Sequence, residues 1–286
     1  SREAASSARV RLSQSDRAIT RLRQNAVNHP AVNPTTRPHA SATNARGIGA
    51  SGGNSSNGNG GAGGAGAGGT ARIDGSGGAL TALDLTAGAG GFGGSGGDAG
   101  NLGNGGTGGL ATGGLSTITN ARLNAQNSTV FIGADAVGGN GGAGQIGGNG
   151  GAAVGGNSSF SAKNITNLIG TIEVTASTGG GMGGGQTGAG GNAQSGTAEL
   201  AVSGGALQVS SVMVKSVAEG GRSNLTENGG PAAGGTARLI ASNGATLNIG
   251  NVLLNANALA NSFEALSGNQ PIRNTATSAT GDHATG

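Results

Sequence analysis

The chain has 286 residues, of which 66 are Gly and four are Phe, with no Cys, Trp or Tyr; charged residues make up 9% and the net charge is +3. Average domains hold ~7% Gly and ~25% charge, so a large core built on Leu, Phe and Trp is excluded. The missing cysteines exclude a disulfide framework and a thiolate metal site, and no run of about 18 apolar residues offers a membrane-spanning helix. With only five Pro and few charges, the composition also departs from that of disordered chains. An ordered repeat with a thin core of small residues is what remains.

Residues 1–47 hold eight Arg against Glu3 and Asp16. This balance predicts an Arg-rich, solvated arm or assembly segment able to meet an anionic partner. It holds no aromatic residue for stacking bases, so no specific nucleic acid is expected. Leu12, Ile19, Leu22 and Ala26 would share one helical face, whereas Ala8–Ser13 would suit an added strand. The chain opens on Ser with no basic, apolar and small-residue signal pattern, which suggests a removed signal or a longer parent chain.

Residues 48–260 carry the repeat. A closing motif returns five times: LDLTAG (Leu83–Gly88), VFIGAD (Val130–Asp135), IEVTAS (Ile172–Ser177), VMVKSV (Val212–Val217) and VLLNAN (Val252–Asn257), at offsets of 47, 42, 40 and 40. Apolar residues take the first and third places, and Ala or Ser the fifth. The alternation puts Leu83 and Leu85, Val130 and Ile132, Ile172 and Val174, Val212 and Val214, and Val252 and Leu254 on one strand face each. These ten residues are the predicted repeat core.

An opening motif precedes each closer: GTARI (Gly69–Ile73), LSTITNARL (Leu115–Leu123), NSSFSA (Asn157–Ala162), GTAEL (Gly196–Leu200) and GTARL (Gly235–Leu239). Ser76–Gly78, Ser203–Gly205 and Ser242–Gly244 read as turns, followed by alternating pairs such as Leu207 and Val209. Each unit therefore predicts three short strands and a glycine-rich excursion. An antiparallel sandwich would also use short strands and turns. Fixed offsets near 40 favour an all-β solenoid, a parallel β-helix of about five repeats whose equivalent strands stack ~4.8 Å apart.

The excursions count in threes. Gly91, Gly94, Gly97, Gly100, Gly103, Gly106 and Gly109 recur at every third place, with Phe92, Ser95, Asp98, Asn101, Asn104 and Thr107 facing out. Three residues per turn is the period of the polyglycine II helix, which has no internal hydrogen bonds and packs closely wherever glycine lines an edge. Gly138–Ala152 and Gly60–Gly69 follow the same rule, Gly179–Gly191 slips, and Glu219–Gly235 loses the step. Such helices are expected to flank the solenoid and to bond to one another. Residues 261–286 read as a polar tail.

Catalytic signals are weak. His29, His39 and His283 lie in the end segments without metal-ligand spacing, the carboxylates are scattered, and no phosphate-binding Gly-Lys-Ser/Thr occurs. No enzyme activity, metal or cofactor is expected. The units Ser195–Ser216 and Gly234–Ala258, with their glycine spacers, resemble secreted Gram-negative surface proteins of the filamentous-haemagglutinin and autotransporter adhesin type. The likeness covers about residues 60–260. It implies parallel β-helices in an extracellular or cell-surface structural or adhesive protein of bacterial origin. The triplets alone also resemble mycobacterial glycine-rich repeat proteins and springtail antifreeze proteins, although the latter carry cysteines.

The expected role is a self-associating fibre or surface-layer component, a homo-oligomer or head-to-tail filament. The alternative is a repetitive surface that binds glycan, host surface or ice. Thr86 and Thr175 are expected at equal places in their units, with Gly133, Lys215 and Asn255 breaking the array, which argues against ice binding.

Overall fold

In the computed structural model the described residues are 41–75, 82, 84–100, 102–223 and 229–260, together with the short antiparallel pair Ser262–Phe263 and Asn274–Thr275. They are all-β, and the strands stack in parallel as a β-solenoid of about five turns. Among them no helix is long and apolar enough to cross a membrane. Most of the Arg-rich arm, Leu83, Asn101, the Ser76–Gly78 turn, the three histidines and most of the C-terminal tail lie outside the described residues. The ladder itself reaches back to the strand Ser41–Asn44, inside the segment read as the arm.

Successive turns pair in register. Leu85 opposes Val130, then Ile172, Val212 and Val252, at steps of 45, 42, 40 and 40 residues. The neighbouring column runs Ala87, Ile132, Val174, Val214 and Leu254. The first closing motif is thus displaced by two residues from the predicted alignment. Leu85 takes the place expected for Leu83, and Ala87 the place expected for Leu85. The reason lies in the corner residue. Ala45, Ala89, Ala134, Ala176 and Ser216 each donate a backbone N–H to the residue before the next corner, so Ala89 and not Ala87 is the small residue of its unit.

The same displacement separates the two threonines. Thr86 pairs with Phe131, whereas Thr175 pairs with Gly133. They do not share a column.

The openers align as predicted: Thr70, Leu115, Asn157, Thr197 and Thr236 are partners in sequence. Three residues on, Ile73, Ile118, Phe160, Leu200 and Leu239 form another inward column. Burying an apolar side chain contributes about 1.5–3 kcal/mol, so a thin core works because every turn adds a full layer. Leu85, Val130, Ile132, Ile172, Val174, Val212 and Val214 are all buried. Val252 is 49% exposed and Leu254 half-buried, because they lie in the last described turn with a strand neighbour on one side only among the described residues.

The expected middle and closing strands merge. In two turns the ladder is one strand of 19 residues, Asn157–Thr175 and Thr197–Lys215, bent where Asn164, Gly204 and Gly205 take positive φ. Asn and Gly tolerate this left-handed backbone better than other residues do. In the last turn Asn243 (φ 52°) and Gly244 (φ 70°) separate Thr236–Ser242 from Thr246–Asn255, as the Ser-Asn-Gly step implied.

Replacing Phe160, a fully buried side chain, by Ala should cost ~3–5 kcal/mol in denaturant unfolding. The same truncation at exposed Val252 should cost under ~1 kcal/mol in the monomer.

Candidate functional site

Among the described residues five excursions leave the solenoid and return, rooted in a six-stranded and a five-stranded parallel sheet. Each runs out and runs back. In the second, Gly91–Phe92 begins the outgoing leg and Ala111–Thr112 ends the return. The outgoing legs of successive turns form one layer and the returning legs another.

Backbone bonds join neighbouring legs at every third residue. Gly49, Gly52 and Ser55 donate to the carbonyls of Phe92, Ser95 and Asp98; Gly93, Gly96 and Ala99 donate in turn to Val137, Asn140 and Ala143. Gly60, Gly63 and Gly66 do the same in the returning layer, toward Asn104, Thr107 and Leu110. Between layers the bonds alternate. Gly94 and Gly97 donate to Gly64 and Gly61 of the preceding excursion, while Gly109 and Gly106 donate back to Gly94 and Gly97. This is a two-layered polyglycine II lattice in which each leg obtains from its neighbours the bonds that an isolated leg lacks.

The seven in-step glycines line the contacts. A Cβ on Gly94, Gly97 or Gly100 would meet the carbonyls of Ala50, Gly53 or Ser56, and one on Gly103, Gly106 or Gly109 those of Gly58, Gly61 or Gly64; Gly91 abuts the Thr112 carbonyl. Every such approach falls well under 3.0 Å, where real Cβ atoms do not occur. Ser95, Asp98, Asn104 and Thr107 face out as expected, and Phe92 is half-buried beneath the Arg46 guanidinium, 5.9 Å from its ring centre. The count of three continues through the tip between Gly100 and Gly103, so the reading of one helix is corrected to two antiparallel legs in a single phase.

Of the two irregularities expected in the later excursions, the slip is present and the loss of step is not found among the described residues. Gly180 and Gly183 donate to Glu219 and Arg222, and Gly181 and Gly184 to Gly151 and Gly148, so the outgoing leg of Gly179–Gly191 keeps step. The expected slip falls at the tip, where Gly185 takes φ 54° and the in-step glycines resume at Gly188 and Gly191. The last excursion keeps step where described: Gly221 donates to Gly191 and Gly230 to Gly221.

The outward side chains have a function that the triplet pattern alone did not reveal. In a two-layered lattice one N–H in three points at solvent. Asn54 Oδ1 accepts the Asp98 N–H (2.8 Å), Asp98 Oδ1 the Ala143 N–H (2.8 Å), and Asn140 Oδ1 the Met182 N–H (3.0 Å). On the opposite face Asn59 and Asn149 accept from Asn104 and Ala189. The signal was present in the sequence: each Asn or Asp stands one repeat length before the residue that it serves.

Asp135 sits at the solenoid corner, accepting the Ser177 N–H (2.7 Å) and the Thr175 hydroxyl (2.9 Å). Burial raises its pKa above the ordinary 3.8, against the lowering effect of those two bonds. A shallow groove of about 470 Å³ crosses the strand face, lined by Arg122, Thr166, Leu168, Gln208, Thr246 and Asn248 among others. Comparison with protein-family models, curated proteins and solved structures returned no match.

Gly97→Val or Gly100→Val should destabilise the fold by ~3 kcal/mol or more, whereas Ser95→Val at an exposed place should be near neutral in the same melts. Asn140→Ala should cost ~1 kcal/mol by stranding the Met182 N–H, and Asn140→Asp should retain most of it because the acceptor survives. The native state holds a proton on Asp135 more tightly than the unfolded chain. Its contribution to stability is therefore greatest below pH 3.8 and falls as pH rises from there through the elevated pKa. The stability of the wild-type chain minus that of Asp135→Asn should decline over that window.

Proposed function

We propose that the chain is a non-enzymatic structural element of an extracellular, bacterial surface assembly and that it associates end to end through its terminal turns. The observation that carries this reading is the last described turn. Thr236–Ser242 and Thr246–Asn255 pair with Thr197–Lys215 on one side, and Val252, Leu253 and Leu259 are 45–49% exposed there. Inward columns that are buried one turn earlier, at Val212 and Val214, end here at Val252 and Leu254. A strand edge with half-exposed apolar columns is a template for another strand in the same register.

The first turn supplies the complementary partner, since Ser41–Asn44 heads the column that ends at Val252–Asn255. A head-to-tail contact of this kind does not close on itself and produces filaments. The resemblance of the repeat style to that of secreted adhesins supports the surface location.

A binding role finds its support in the groove around Arg122, whose Thr, Gln and Asn lining could hydrogen-bond a glycan. Sedimentation across a range of concentrations, with negative-stain microscopy, should reveal filaments, and Val252→Lys should abolish them while leaving the circular dichroism spectrum unchanged. Monomers at every concentration, together with saturable binding on a glycan array, would favour the groove instead.

A further inference from the structure

Asn followed by Gly is the sequence most prone to spontaneous deamidation, because a glycine backbone nitrogen reaches the asparagine side chain unhindered. Six such pairs fall among the described residues, at Asn57, Asn59, Asn104, Asn140, Asn149 and Asn243. The fold treats them differently. At Asn59, Asn140 and Asn149 both reacting groups are held. The side-chain oxygen accepts a backbone N–H from the next turn. The nitrogens of Gly60, Gly141 and Gly150 donate to the carbonyls of those same residues, Asn104, Met182 and Ala189.

Asn57 and Asn104 are held through the glycine nitrogen alone, toward Ser55 Oγ and the Ile146 carbonyl. At Asn243 the arrangement is reversed. Its Nδ2 donates to Ser203 Oγ (2.8 Å), which leaves the side-chain carbonyl without a donor, and the Gly244 N–H has no acceptor among the described residues. Asn243 is exposed, and the Cβ direction of Gly244 opens on empty space.

We infer that, among the described Asn-Gly pairs, Asn243 is the deamidation site of the folded protein and that the lattice protects the asparagines which serve it. The Gly244 nitrogen attacks Asn243 Cγ and loses its proton, the Cγ–Nδ2 bond breaks, and the amide leaves as ammonia. The resulting cyclic imide adds one water at either carbonyl, giving an aspartyl or isoaspartyl residue. No oxidant or cofactor takes part. The product loses the Nδ2 donor to Ser203, and the isoaspartyl form lengthens the backbone of a two-residue turn in the last described turn of the solenoid.

The purified protein is incubated at neutral pH, digested rapidly in acid, and each Asn-Gly peptide followed by mass spectrometry. Conversion at position 243 should run roughly thirtyfold faster than at 59, 140 and 149, the ratio that two hydrogen bonds of about 1 kcal/mol each impose. Positions 57 and 104 should fall between. In concentrated denaturant the rates should converge. Equal rates in the folded protein, or a spread that persists in denaturant, would overturn the inference, since either result would make the differences independent of the fold.

Discussion

Every layer of this protein depends on backbone hydrogen bonds exchanged between successive turns. The chain has little else to use. Its inward columns are Ala, Val, Ile and Leu with one buried Phe, and its excursions are largely glycine. Ordering each glycine costs ~1–2 kcal/mol of conformational entropy. No single leg recovers that cost. The lattice offsets it by giving each leg partners on several sides at a fixed period, while the apolar columns add a hydrophobic layer per turn.

The strand ladder and the glycine lattice are therefore one structure. The corner N–H bonds that run from Ala45 to Ser216 set the height of each turn, and that height aligns the legs that leave just beyond the corner. If the register slipped by one residue, apolar columns would turn outward and carbonyls would meet carbonyls in the lattice. The two-residue displacement of the first closer shows how strongly the corner governs: LDLTAG offered an apolar pair at Leu83 and Leu85, yet Ala89 is the residue that fits the column of small corners.

The solenoid was legible in the sequence because the strands repeat near 40 residues and three of the five openers begin Gly-Thr-Ala. The glycine contacts were legible because a period of three cannot arise from a spacer. The reversal of the second and third excursions was not, since there the phase of the triplets runs unbroken through the tip and leaves no mark of the turn, whereas in the fourth the step from Gly184 to Gly188 marks it. The Asn and Asp acceptors were hidden for a different reason. Their role depends on the neighbour 40 to 45 residues away, and within one triplet they look like any outward polar residue.

The alternation of bonds between outgoing and returning legs also restricts how such a protein can change in length. One residue added to a single leg would rotate everything beyond it by a third of a turn and misdirect its N–H groups. Three residues added to each leg would leave every bond in place and only move the tip outward. Insertions and deletions in these excursions are thus expected in paired triplets. The depth of the lattice becomes a quantity that evolution, or a protein engineer, can adjust only in whole steps.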